Sequence, residues 1–309
     1  MSATSTVRVS IIIPTYNEER NILDTLARIV CQDRNIIVDG KKVVVSLEII
    51  MVDSGSKDRT IHLAKLFGRK YNMLSLYSVP KFHHSIVRNF GAKKSEGEIL
   101  VFLNADAKPA NSLWLRKLIG PIVMGIADAS FSRQIPPRDL ISIDSAFVMT
   151  GFPEKSTLLN RKTFLDFYNE SGIFFSTVSC AVRRDTFFEL GGFNKYLPLD
   201  EDQDFALRLI KRGYTIAYVA DSIVIHAHKL TATQVVRRYY GYAWGWKRIM
   251  RIHKDLNLIP SLTTSKRLIG NVIKLLRCRQ GPRINPIEKI RLFFHGILVI
   301  ISVATGYMT

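Results

Sequence analysis

Apolar and polar positions alternate on two different periods along the first half of the chain. Residues 9–13 form a short apolar run closed by Pro14, and residues 43–52 form a longer, β-branched run that ends in Asp53-Ser54-Gly55-Ser56. Residues 73–79 and 98–103 repeat that pattern, so four strands are expected. Between them Ile22, Leu23, Leu26, Ile29 and Val30 recur at helical spacing, as do Ile61, Leu63, Ala64 and Phe67. Residues 85–95 and 114–125 also read as helix. Strands and helices in alternation predict βαβ units, an α/β class and a mostly parallel sheet flanked by helices. The pattern then loosens. Residues 129–134, 177–182, 215–219 and 223–225 are short expected strands, 200–211 an expected helix, and 136–170 irregular and polar. Beyond Lys229 the chain looks helical and basic, with Tyr239, Tyr240, Tyr242, Trp244 and Trp246 interleaved.

In parallel sheets ligands bind beyond the carboxyl ends of the strands. Three polar clusters follow expected strands: Thr15-Tyr16-Asn17-Glu18, Asp53-Ser54-Gly55-Ser56 and Asn104-Ala105-Asp106. If the strands are parallel, the clusters meet on one rim. Each has a plain structural explanation, in helix caps at Asn17 and Asp58, a tight turn at Gly55, and a turn before Pro109. Each also has a chemical one. Tyr16 could stack on a base, Asp53 could accept hydrogen bonds from a base or ribose, and Asp106 could hold a hard divalent cation completed by phosphates. Neither a P-loop nor a dinucleotide motif is present.

Two further groups carry chemistry. Asp200, Glu201, Asp202 and Asp204 place four acids in five positions. One or two suit the start of a helix, but four repel one another, and a general base for a hydroxyl is the functional alternative. His226 and His228 share a face if extended, as structural residues or as metal ligands.

Charge changes the picture of the second half. Residues 229–291 hold fifteen Lys and Arg against Asp255 and Glu288, which is +13 of the net +18. Such a region calls for an anionic partner, either nucleic acid or an anionic membrane surface. No nucleic-acid motif is recognisable, and acidic strand ends would repel phosphate, so the membrane surface is expected and no nucleic acid. Residues 292–308, LFFHGILVIISVATGYM, carry no formal charge apart from His295. They are slightly short for a spanning helix and form either an anchor, an interfacial helix or a core helix. The three cysteines, Cys31, Cys180 and Cys278, are far apart, which points to a reducing compartment, and no signal peptide is evident. The expected location is the cytoplasmic face of the cell membrane, peripheral or by a single C-terminal anchor. The expected division is 1–230 for the α/β domain, 231–286 for a basic helical extension and 287–309 for an apolar tail.

The stretches VSIIIPTYNEE, VDSGSKDRT, RNFGAKKSEGEILVFLNADAKP, GGF, DEDQDFALRLIKRGY and VIHAH occur in that order over about residues 7–230. Together they resemble the family 2 glycosyltransferases of GT-A fold. KFHHSIVRNFGA, SRQIPPRD and FFSTVSCAVRRD resemble its rhamnosyltransferase-like branch. The resemblance implies an inverting transferase with a nucleotide-sugar donor, Mg²⁺ or Mn²⁺, and a glycan or polyprenyl-phosphate-linked acceptor. It implies that Pro14, Tyr16 and Glu18 line the nucleotide site, that Asp53 with Ser54 meets the base, and that Arg88 and Asn89 lie near the donor phosphates or ribose. Asn104 and Asp106 match the two ends of the family's D-x-D, with Asp106 on the metal. Asp202, next to Glu201, matches the general base, and His226 or His228 completes the metal or diphosphate site. Asn104 departs from the pattern by one charge. Two other classes remain open at this level: a nucleic-acid-binding protein, and a non-catalytic membrane scaffold that keeps the fold.

Overall fold

A computed structural model describes residues 5–140, 142–197, 199–256, 258, 270, 272, 273 and 286–308. In chain order its elements begin with β1 (Ser5–Thr15), α1 (Ile22–Val30), β2 (Asn35–Val38), β3 (Lys41–Asp53), α2 (Thr60–Tyr71) and β4 (Leu74–Ser78). There follow α3 (His84–Lys94), β5 (Ile99–Leu103), β6 (Lys108–Pro109), α4 (Trp114–Val123), β7 (Ala129–Ile135) and α5 (Ile143–Gly151). Next come β8 (Thr157–Leu159), α6 (Phe164–Ser171), β9 (Ser179–Arg183), α7 (Arg184–Glu189) and α8 (Glu201–Arg212). β10 (Ile216–Ile225), α9 (Ala232–Ile252) and α10 (Pro286–Met308) complete the series.

Two compact units share these elements. The first takes Met1–Arg133, Glu154–Thr163 and Phe175–Val224; the second takes Gln134–Pro153, Phe164–Phe174 and Ile225–Thr309. The units therefore interleave; the sequence suggests a division at residues 230 and 286.

The sheet runs β2-β3-β1-β5-β9-β7-β10-β6, with β4 beside β3 and β8 beside β10. β4, β3, β1 and β5 are parallel, as the alternation predicts. β9 is antiparallel to β5 and β7, β8 is antiparallel to β10, and β2 is antiparallel to β3. The β2–β3 hairpin turns on Asp39-Gly40, at φ 48° and 73°. That dipeptide favours the twist a two-residue hairpin needs. Every residue of β5 is buried, which is why its sequence is a continuous apolar run. Val9, Ile11 and Ile13 of β1 share a core with Ile22, Leu26 and Ile29 of α1 and with Trp114, Leu115 and Leu118 of α4. Each fully buried side chain of this kind stabilises the unit by about 1.5–3 kcal/mol.

The second unit has its own core, built on Ile143, Ala146, Leu230, Val235, Tyr239, Leu292 and Val299. Its α5 and α6 occupy the stretch expected to be irregular. Their inward positions, such as Phe164, Phe167, Tyr168 and Ser171, do follow helical spacing. Residues 215–219 and 223–225 merge into β10, because the Asp221 between them takes an exposed place in the alternation. Among the described residues no helix is long and apolar enough to cross a membrane. α10 turns Leu292 and Val299 into the core of its own unit.

One close approach in the first unit gives a direct test. Gly97 donates its N–H to Ser10 Oγ at 2.7 Å, and a Cβ at 97 would stand 2.5 Å from the Ser10 nitrogen. Gly97→Ala is expected to lower stability by about 1–3 kcal/mol, the usual cost of overpacking, read from the urea unfolding midpoint.

Candidate active site

Three adjacent parallel strands end together. Thr15 of β1 pairs with Asp53 of β3, and Ile12 pairs with Phe102 of β5, so the three polar clusters leave one edge of the sheet. The first two are tied to each other. Asn17, at φ 54°, donates its N–H to Ser56 Oγ at 2.8 Å and accepts from the Lys57 N–H at 2.9 Å. The Glu18 N–H reaches Thr60 Oγ1 at 2.7 Å, and the Glu19 N–H reaches Asp58 at 3.1 Å. This turn delays the start of α1 to Ile22, where the periodicity suggested Glu18. Asp53 is buried and accepts the N–H groups of Gly55 and Ser56, both at 2.9 Å, and the Ser56 hydroxyl. Ser54 is buried, with its N–H on Thr15 O, and Pro14 is buried within β1. Tyr16 is 48% exposed at the rim.

Glu18 lies within the electrostatic reach of Asp106. Burial pushes the Glu18 carboxyl up to about 7, against the pull of the Asn21 amide, and the charges of Asp106 and Asp58 raise it further. Thr25 Oγ1 fixes the third cluster by donating to Ala105 O at 2.7 Å. Ala105 and Ala107 are buried, and Asn104 and Asp106 are half-buried at the alternate positions.

Arg88 lies on α3, 2% exposed, and its guanidinium is spent on the protein. Nη1 donates to Glu201 Oε1 at 3.1 Å and to His84 O at 3.2 Å, and Nη2 donates to Asn104 Oδ1 at 2.8 Å. Arg88 is thus enclosed by protein groups, Asn104 directs its carbonyl oxygen at it, and Glu201 is its buried counter-ion. The neutral amide at 104 also has a physical reason, since an acid there would set a second carboxylate beside Glu201 on one guanidinium.

Asn89, the neighbour of Arg88, holds a turn. Its amide donates to Phe193 O at 2.8 Å and accepts the Phe193 N–H at 2.9 Å. Gly192 sits at φ 72°, and a Cβ there would meet Asn89 Oδ1 at 2.7 Å. From the other side Arg208 donates to Leu190 O at 2.6 Å and Gly192 O at 2.8 Å, while also pairing with Asp204 at 2.8 Å. The Gly-Gly-Phe turn is thus clamped just ahead of the acid cluster.

The four acids hold four different places. Glu201 pairs with Arg88 and Asp204 with Arg208. Asp200 takes the N-cap position of α8 at φ 61°, and its buried Oδ2 has no hydrogen-bond partner among the described residues. Burial, then the charges of Asp202 and Glu201, push that carboxyl well up. Asp202 is half-buried. Its Oδ2 accepts the Thr177 N–H at 3.2 Å, and its Oδ1 accepts Gln203 Nε2 at 3.1 Å. Gln203 is itself anchored by donating to Phe175 O at 2.7 Å. Burial and the Glu201 charge push Asp202 up to about 6, against the bonds from Thr177 and Gln203. A carboxylate near 6 is suited to take a proton from a hydroxyl at neutral pH. Thr177 and Gln203 escaped the sequence reading; the signal was the FFSTVSCAVRRD stretch and the glutamine within the acid run.

The histidines belong to the second unit. Their rings meet edge to face with centroids 4.7 Å apart. His226 Nδ1 donates to Gln134 Oε1 at 3.0 Å, which leaves Nε2 as the lone-pair nitrogen. His228 donates its N–H to Asp144 Oδ2 at 2.7 Å, and Asp144 Oδ1 accepts Arg238 at 2.9 Å. A histidine oriented by an amide oxygen on its far nitrogen is the usual preparation for a metal. Asp106, in the first unit, offers a carboxylate whose charge already raises that of Glu18, a strain a cation would relieve. The donor types in both units therefore fit a divalent ion.

Residues 10–190 match the model of glycosyl transferase family 2, and residues 155–308 match that of glycosyl transferase family group 2. The chain belongs to glycosyl transferase family 2. It is 29% identical over 240 residues to the O-antigen chain rhamnosyltransferase RfbN of Salmonella typhimurium, covering 76% of this chain and 71% of that one. It is 31% identical to the O-antigen chain rhamnosyltransferase WbaN of Salmonella anatum, covering 62% of this chain and 60% of that one. The fold of this glycosyltransferase is that of the mannosyltransferase PcManGT from Pyrobaculum calidifontis, solved with GDP-Man and Mn²⁺, at TM-score 0.60, 18% identity, and coverage of 99% and 88%. TarS 1-349 of S. aureus in complex with UDP superposes at TM-score 0.57 with 16% identity, over 97% of this chain and 90% of that one. The α/β, GT-A class expected from the motifs is borne out.

The central ion pair of this glycosyltransferase can be tested without substrate. Arg88→Ala should lower stability by about 3–5 kcal/mol, because it strands a buried carboxylate. Adding Glu201→Gln should recover part of that loss in the same urea titration.

Proposed function

We propose that the protein transfers a deoxyhexose of the rhamnose type from a nucleoside diphosphate donor to a hydroxyl of a cell-surface glycan, with inversion. The acceptor is carried on a polyprenyl phosphate at the cytoplasmic face of a membrane. The sugar class rests on the two rhamnosyltransferase relatives, and the chemistry rests on Asp202. In that cluster Asp202 is half-buried, is held by the Thr177 N–H and the Gln203 amide, and has a proton affinity suited to a base.

In the proposed reaction Asp202 accepts the proton of the acceptor hydroxyl as its oxygen bonds to the anomeric carbon. The bond from that carbon to the diphosphate oxygen breaks, and the nucleoside diphosphate leaves from the opposite face. Thr177 and Gln203 orient the carboxylate, and Glu201, neutralised by Arg88, keeps it from the acidic range. Asp53 and Tyr16 take the base, as the resemblance implies, with Pro14, Glu18 and Ser54 shaping the floor. As the resemblance implies, Asp106 would hold Mg²⁺ or Mn²⁺ and His226 or His228 would complete the metal or diphosphate site; the ion would supply Lewis-acid stabilisation of the leaving diphosphate.

Asp202→Asn should reduce kcat by roughly 10²–10⁴ while leaving donor binding intact. The base works deprotonated, so the kcat/KM of the wild type should fall as pH drops through about 6; near-normal transfer by Asp202→Asn would remove the assignment. A thermal-shift screen of nucleoside diphosphate sugars should show one donor stabilising the protein only with Mn²⁺ or Mg²⁺. Chelation should abolish transfer and added Mn²⁺ restore it; transfer that survives exhaustive chelation counts against the ion.

A further inference from the structure

Helix α10 is apolar on two sides. Leu292 and Val299 turn inward to the second unit's core, with His295 buried beside them. Ile290, Phe293, Phe294, Ile297 and Ile300 turn outward at helical spacing, and Phe293 and Phe294 are 57% and 58% exposed. A helix that is apolar all round is normally covered all round.

A small open cleft lies near the start of the same helix, lined by Ser142, Ile143, Lys229, Leu230, Arg291 and His295. Its charged residues are cations. Arg291 Nη2 donates to Leu230 O at 2.9 Å, which holds the guanidinium at the wall. The first turn of α5 opens at the cleft through its N-cap Ser142, adding the partial positive charge of a helix N-terminus. The acid of that turn, Asp144, is engaged by Arg238 and by the His228 N–H. Fixed cations beside an exposed apolar face complement a lipid whose phosphate and acyl chains are covalently joined. A nucleic acid would match the charge and leave the isoleucines and phenylalanines in water.

We propose that α10 lies in the surface of an anionic bilayer, with its outer face among the acyl chains and the Lys229–Arg291 cleft on a glycerophospholipid phosphate. This rests on the reading that the acceptor is met at a membrane, and it assigns the docking element. The test is flotation of the full chain with phosphatidylcholine vesicles, with and without phosphatidylglycerol, and with polyprenyl phosphate in place of phosphatidylglycerol. The wild type should float with phosphatidylglycerol vesicles and stay behind with neutral ones. Lys229→Gln and Arg291→Gln should each weaken that partitioning about fivefold, Arg291→Lys should retain it, and Phe293→Asn with Ile297→Asn should abolish it. Thermal melts and donor binding in the screen above serve as controls for folding. Wild-type-like flotation of all these variants overturns the site and leaves the membrane reading standing. A wild type that binds donor but never floats overturns both the membrane reading and the site, and spares the transferase. Flotation with polyprenyl phosphate alone assigns the cleft to the acceptor and overturns the phospholipid. A lipid-free dimer that Phe293→Asn dissolves gives the face to a second copy and overturns the proposal.

Discussion

A guanidinium that is 2% exposed must be neutralised where it stands, and Arg88 is neutralised by groups from three parts of the first unit. Glu201 supplies the charge from the start of α8, Asn104 supplies an amide oxygen from the end of β5, and His84 supplies a backbone oxygen from α3 itself. Removing a charge from water costs several kcal/mol unless such partners are in place. Those three positions are therefore not independent. The helix that carries the acids is held to the strand end that carries Asp106, and one residue sets the frame for both.

That frame sorts the carboxylates. Four acids crowd the start of α8, and two are taken by arginines. Asp202 is left in a partly dry setting beside the charge of Glu201, and this brings its proton affinity up to about 6. The same logic acts on Glu18, which burial and the neighbouring Asp106 and Asp58 bring to about 7. Clustering acids at one strand edge is costly by itself. In the second unit Gln134 holds the ring of His226 at 3.0 Å.

Much of the fold was legible because its signals are local. β1, β3 and β5 are apolar runs closed by polar turns, and α1, α2 and α4 show helical periodicity. The rim followed from those strands being parallel. The β2–β3 hairpin was missed although Asp39-Gly40 announced it, because the short run of β2 was taken as part of a loop. α5 and α6 were missed because they are short, and their packing partners lie some ninety residues away: Asp144 pairs with Arg238, 94 residues on. Asn89, which the resemblance places near the donor, bonds Phe193, 104 residues on.

By itself the sequence determined the order of strands and helices, the three polar strand ends, the concentration of positive charge after Lys229 and, through motifs in a set order, the family. These depend on side-chain periodicity and on residue types within a few positions of each other. Tertiary structure alone decided the partners: Glu201 as counter-ion of Arg88, Asn104 as a second partner of Arg88, Asp202 held by Thr177 and Gln203, and the outer face of α10 as exposed. The physical reason is that the role of a charge depends on what surrounds it. Arg88 and Glu201 are 113 residues apart in the chain and meet at 3.1 Å.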